Sequence, residues 1–112
     1  MKREKRIRKP INIAVRELES NLGEIFTVQE WADYMGYSRC YFSHKIKKRF
    51  GKSPKDLLTE VKLKKVKQLI RKNPDELGFQ VATEIGFIDE RSMYKFLKTS
   101  TGFKFSEIKD LL

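Results

Sequence analysis

The chain is poor in the residues that build closed metal sites and covalent cross-links. It has one cysteine, Cys40, and one histidine, His44. A lone cysteine closes no intrachain disulfide, which suits a reducing compartment. Cys40 and His44 lie four apart, half of a zinc site, but completing it would need carboxylates or a second chain. No metal and no cofactor are therefore expected. Long apolar runs are also missing, since nothing approaches the roughly 18 residues of a membrane helix. The basic start, Met1–Pro10, is not followed by an apolar segment of the kind a secretion signal needs. A soluble, cytoplasmic chain is the expectation. Convincing period-two alternation is absent, so no sheet is predicted. There is no glycine loop to cradle phosphate, no plausible Ser-His-Asp set and no paired-carboxylate constellation above chance, and an enzyme is not expected.

Acid is scarce too. The sequence has 25 Lys and Arg against 15 Asp and Glu, a formal charge of +10. Such a balance points to a polyanionic partner. Its distribution is uneven. Residues 1–10 carry net +5, residues 11–37 net −4, residues 38–67 net +9 and residues 73–112 net −2. The basic character is thus concentrated mid-chain, and the last third is slightly acidic.

What is present is helical periodicity. Met1–Pro10 reads as a flexible basic arm or linker. Ile11, Ala14, Val15, Leu18 and Leu22 then recur at helical spacing up to Gly23. Thr27 with Glu30 is a capping box that opens a helix ending at Gly36. Ser38 restarts a helix whose inward face is Phe42, Ile46 and the stem of Arg49, and it stops near Gly51. Ser53-Pro54 is an N-cap followed by proline at the first helical position. That helix should run to Lys72, before Asn73-Pro74, a span of roughly 28 Å at 1.5 Å per residue. Further helices are predicted over Phe79–Ile85, from about Asp89 to Ser100, and over Ser106–Leu112.

An internal repeat organises these elements. Trp31-Ala32 followed by Gly36-Tyr37 matches Val81-Ala82 followed by Gly86-Phe87. Phe42, Ile46, Lys47 and Gly51 match Met93, Leu97, Lys98 and Gly102. The offset is 50 before the turn and 51 after it. In each copy a small residue lets two helices approach, glycine makes the turn, and the following aromatic pins the second helix. Each copy is thus a helix-turn-helix, whose second helix is shaped for the DNA major groove. On a helical wheel Cys40, His44 and Lys47 point away from the first core face, with Ser43 to one side. Arg91, Lys95 and Lys98 do so in the second copy, with Tyr94 to one side. Successive major-groove faces lie about 34 Å apart, close to the length of the connecting helix.

With these motifs in place, the chain from about Phe26 to Lys109 resembles the DNA-binding domain of the AraC/XylS transcription regulators. The first string is Trp31-Ala32, Gly36-Tyr37-Ser38, Tyr41-Phe42-Ser43, Lys47-Lys48, Gly51 and Ser53-Pro54. The second is Val81-Ala82, Gly86-Phe87, Asp89, Lys98 and Gly102. The resemblance implies an all-α fold of about seven helices: two helix-turn-helix subdomains, residues 11–53 and 73–112, joined by a connecting helix over 54–72. It implies sequence-specific binding of double-stranded promoter DNA in bacteria and contact with RNA polymerase. Carried over by position, the base-facing residues are Cys40, Ser43, His44, Glu90, Arg91, Tyr94 and Lys95. Phosphate contacts are expected from Arg39, Lys47, Lys48, Lys62 and Lys98. The isolated domain is expected to be monomeric. The pattern departs from the family at four places. Lys104-Phe105 replaces a common Ser-Pro, and Glu90 replaces a frequent glutamine. Lys62 replaces arginine. Gly78 occupies an apolar position whose slot Leu77 or Phe79 is expected to fill. An alternative has the acidic second unit docking on protein rather than DNA.

Overall fold

The computed structural model describes residues 8–112. Seven α-helices follow a 3-10 turn at Ile11–Ile13: α1 Ala14–Ser20, α2 Val28–Met35, α3 Arg39–Phe50, α4 Pro54–Lys72, α5 Gly78–Ile85, α6 Glu90–Thr101 and α7 Phe105–Leu111. No strand occurs among the described residues. The all-helical architecture read from the repeat is the one observed. Of the basic arm, residues 1–7 lie outside the described residues. Its last part is not a free linker: the Lys9 amide donates to the Met35 carbonyl at 2.9 Å, and the Tyr37 hydroxyl donates to the Lys9 carbonyl at 2.8 Å.

Local chemistry sets the element starts. Thr27 accepts from the Glu30 amide while the Glu30 carboxylate accepts from the Thr27 amide, the reciprocal capping box. Ser38, Ser53 and Asp89 each accept from the amide three residues on, satisfying one orphan N–H of α3, α4 and α6. Helix α5 starts one residue earlier than Phe79, at Gly78, where the Gln80 side chain accepts from the Leu77 amide.

The turns explain why the repeat has its spacing. Gly36 and Gly86 sit at φ 88° and 95°, a region a side chain resists. The amide of the next residue, Tyr37 or Phe87, donates back to the carbonyl of Ala32 or Ala82, each at 2.9 Å. This is a Schellman closure, and it fixes the alanine, glycine and aromatic positions relative to one another.

Apolar burial holds each unit. In the first, Trp31, Met35, Phe42 and Ile46 are fully buried. The Trp31 ring meets Phe42 edge-on at 5.1 Å, and its indole N–H donates to the Ala14 carbonyl at 3.1 Å. That bond ties α1 to α2 and satisfies a donor that would be costly to bury unpaired. In the second unit Val81, Ile85, Met93 and Leu97 are fully buried. Arg49, expected to lay its stem along the core face of α3, is exposed; its guanidinium stacks on Phe50 instead, 5.1 Å from the ring centroid. Helix α4 contributes Leu57, Leu58, Val61, Val66, Leu69 and Ile70 to the common core. The units also meet directly. Phe26 packs edge-on against Phe87 at 5.3 Å. A Cβ on Gly86 would lie 2.9 Å from the Gly23 carbonyl oxygen. Helices α3 and α6 are therefore carried by one packed body, not by two beads on a rod.

Candidate nucleic-acid interface

Helix α3 carries Arg39, Lys45, Lys47, Lys48 and Arg49 and no acid. Its core face is Phe42 and Ile46, both fully buried. The 100° step per residue puts Cys40, His44, Lys47 and Lys48 on the far side. All four are exposed, as is Arg39, while Ser43 is half-buried at the edge of the face. None of these cations is in a salt bridge among the described residues, where the bridges are Lys9–Glu17, Lys52–Glu60 and Lys64–Glu19. An exposed, acid-free helix face with unpaired cations presents a positive field to whatever approaches.

Helix α6 repeats the arrangement with a different edge. Arg91, Lys95 and Lys98 are exposed opposite buried Met93 and Leu97. Together with Lys104 they rim a groove of about 580 Å³ beside Tyr94 and Phe105. Lys104, a departure from the family's serine, thus adds a cation to this face. The Lys98 ammonium donates to the Gly102 carbonyl at 3.1 Å, closing the end of α6. At its start, the Ser92 amide holds the Asp89 carboxyl below the usual carboxylate range.

Glu90 and Tyr94 act on each other. The Tyr94 hydroxyl donates to the Glu90 carboxylate at 3.0 Å, and its ring lies 5.6 Å from that of Phe105. Partial burial, and then the Glu90 hydrogen bond, push the Tyr94 phenol up from its ordinary value. Gly78 is the reason the ring fits: a Cβ there would collide with the Tyr94 hydroxyl. The vacant slot at Gly78 is thus occupied by Tyr94. Leu77 and Phe79, expected to fill it, are 58% and 53% exposed. The buried face of α5 is Gly78, Val81, Ala82 and Ile85 at helical spacing, and Leu77 and Phe79 fall to either side of its first residue.

Lys62 corrects the sequence reading. A phosphate contact was expected of it, but it is only 6% exposed. Its ammonium donates to the Phe26 carbonyl at 2.9 Å and lies 3.7 Å from the Phe26 ring centroid, with Phe87 and Phe96 at 5.4 and 5.7 Å. Burial lowers its pKa from 10.5 to about 8, against a smaller opposing effect of Glu30. It is a joint between the units, not a surface cation. The available signal was its place on the wheel, one turn from Leu58 and one from Val66 on the buried face of α4; what covers it, Phe26, comes from a loop 36 residues away. Arg8 was also missed as a placed side chain. Its guanidinium lies 5.2 and 5.0 Å from the Tyr37 and Tyr41 ring centroids. The Tyr37–Tyr41 spacing of four was the available signal.

Two capped helix-turn-helix units with cationic outer faces, carried on one α4 joint, define a helical DNA-binding domain. A helix-turn-helix domain family matches residues 31–110, and the chain belongs to it, with the AraC-type DNA-binding transcription regulators. An HTH-type transcriptional regulator of Bacillus subtilis (strain 168), YobQ, is 27% identical over 89 residues. That similarity covers 80% of this chain but only 36% of that protein's length. Among solved structures, the C-terminal domain of AraT, a response regulator from Geobacillus stearothermophilus, matches at TM-score 0.79 and 20% identity, over 93% of this chain and 87% of that one. The DNA-binding domain of AdpA, a global transcriptional factor solved with a target DNA, matches at TM-score 0.75 and 19% identity, over 92% of both. At such identities the likeness is one of fold.

Proposed function

We propose that this chain binds duplex DNA sequence-specifically, with α3 and α6 in successive major-groove segments, and so regulates transcription at a promoter. The observation that carries the reading is the correspondence, across the repeat, of side chains on or at the edge of the outer helix faces. Arg39, Cys40, Ser43, His44 and Lys47 are answered by Glu90, Arg91, Tyr94, Lys95 and Lys98. Arg91 and Lys95 have the donors to read guanine edges; Ser43 and His44 hydrogen-bond to several bases. Glu90 accepts from cytosine N4 when Tyr94 releases it. Arg39, Lys47, Lys48 and Lys98 hold phosphates and set register. The longest extent of the molecule, 44 Å, accommodates two reading helices about 34 Å apart, one turn of duplex. In this reading the domain acts as a monomer, and RNA polymerase is the protein it works with at the promoter.

Selection from a pool of randomised duplexes at near-physiological salt tests the proposal. Two enriched blocks centred about one helical turn apart are expected. A single block would remove α6 from the reading and favour docking of the second unit on protein. One observation supports that second reading. Leu77, Phe79, Ile88, Phe103, Leu111 and Leu112 are exposed apolar residues, and all belong to the second unit.

A further inference from the structure

In each unit the aromatic that follows the turn glycine carries a cation. Phe87 has Lys62, buried between it, Phe26 and Phe96. Tyr37 has Arg8, and here the cation is on the outside: Arg8 is exposed, and so is Tyr41 at 41%. The backbone behind Arg8 is pinned on both sides of Lys9, through its N–H to Met35 and its carbonyl to Tyr37. The Lys9 side chain is held as well, 3.7 Å from the Glu17 carboxylate and 5.3 Å from the Tyr34 ring centroid. The result is a guanidinium laid over two tyrosine rings at the start of α3, the helix with the strongest cationic face.

A second cation meets the same ring. The Lys45 ammonium lies 5.7 Å from the Tyr41 centroid, against 5.0 Å for Arg8. No carboxylate forms a salt bridge with Arg8 or Lys45 among the described residues. Two like charges gathered at one exposed ring repel, and an anion placed beside both relieves that repulsion. Stacking on the ring faces leaves the guanidinium edge donors available, in the fork geometry that suits a phosphate. Tyr41 is next to Cys40 in sequence and one helical turn before Lys45, so this pair flanks the α3 reading face.

We propose that Arg8, held by Tyr37 and Tyr41, is a DNA-contacting residue that clamps a backbone phosphate together with Lys45 at the edge of the first unit's half-site. The inference rests on the reading of α3 as a groove-binding helix and adds a contact that the repeat does not contain. In α6 the positions of Tyr41 and Lys45 are taken by Ser92 and Phe96, so the second unit has no counterpart to the clamp.

The test is fluorescence anisotropy of the full chain on a duplex carrying the selected site, over a salt series. Arg8→Ala should weaken binding about three- to tenfold and reduce the slope of log K against log salt by about 0.9, the release of one phosphate's counterions. Its ranking of base-substituted duplexes should not change, because a phosphate contact carries no sequence information. Tyr41→Leu, which keeps both charges but removes the platform, should lose affinity with little change in slope. Lys52→Ala removes an exposed cation elsewhere and should leave binding within twofold of wild type. An Arg8→Ala protein with wild-type affinity and slope overturns the clamp. So does a Lys52→Ala protein that loses as much as Arg8→Ala, since the effect would then be the general field. Wild type that binds no duplex at any salt overturns the groove-binding reading itself, and the clamp with it.

Discussion

The buried Lys62 makes a quantitative prediction about pH. Its folded pKa is lowered from 10.5 to about 8 by burial. Between those values the unfolded chain holds the proton and the folded protein has released it. The unfolded state therefore binds more protons, and Lys62's contribution makes the domain more stable as pH rises through that window. Below about 8 both states are protonated and the contribution is flat, with the cost of the buried charge fully present. One pKa unit corresponds to about 1.4 kcal/mol, so the difference accumulated from pH 7.5 to 10 is about 2 kcal/mol. Tyr94 acts in the opposite sense, because its raised phenol pKa makes stability fall as pH climbs above the usual tyrosine value of about 10. The measurement should therefore stop at pH 10. Urea unfolding of wild type and Lys62→Met at constant ionic strength isolates the effect, since every other lysine is common to both. Wild type should gain about 2 kcal/mol on the variant across the window. Parallel stability profiles would refute the reasoning and place the Lys62 ammonium in contact with water.

Three further outcomes follow from particular contacts. Gly86→Ala and Gly102→Ala both force a side chain into positive φ, but only the first also meets backbone, the Gly23 carbonyl. Thermal or urea unfolding should show Gly102→Ala costing about 1–2 kcal/mol and Gly86→Ala clearly more; equal costs would mean that the loop at Gly23 gives way freely. Gly78→Ala should displace the Tyr94 ring, a clash offset by the roughly 0.5–1 kcal/mol that alanine gains over glycine in a helix, so the variant should be more stable in a Tyr94→Phe background than in the wild type. A double-mutant cycle reads this coupling, and additivity would show that the two residues do not touch in solution. Arg91→Ala should relax preference at a single position of the selected site by about 1–3 kcal/mol, while Lys47→Ala should weaken binding to all duplexes alike. If Arg91→Ala leaves the base ranking untouched, α6 does not read that position.

The element boundaries were legible from local chemistry. Caps at Thr27, Ser38, Ser53 and Asp89 and breaks at Gly36, Gly51, Asn73, Gly86 and Gly102 are chemistry confined to a few neighbouring residues, and the helices begin and end within a residue or two of them. The outward and inward faces of α3 and α6 were legible for the same reason: a helix turns by a fixed angle per residue, so Phe42 and Ile46 facing in dictates Cys40 and His44 facing out. What happens where distant segments cross depends on their packing. Lys62 stands on the apolar Leu58–Val66 face of its helix, but the carbonyl and ring that receive its ammonium belong to Phe26, which only the packing brings there. Tyr94 is aimed by a glycine sixteen residues earlier, whose missing side chain is a vacancy only when α5 and α6 pack. Arg8 becomes a fixed cation because Met35 and Tyr37 grip the backbone beside it. Periodicity reports the orientation of a residue on its own helix; it carries no information on which other part of the chain arrives to cover it, and burial, shifted charge and fixed side chains all depend on that arrival.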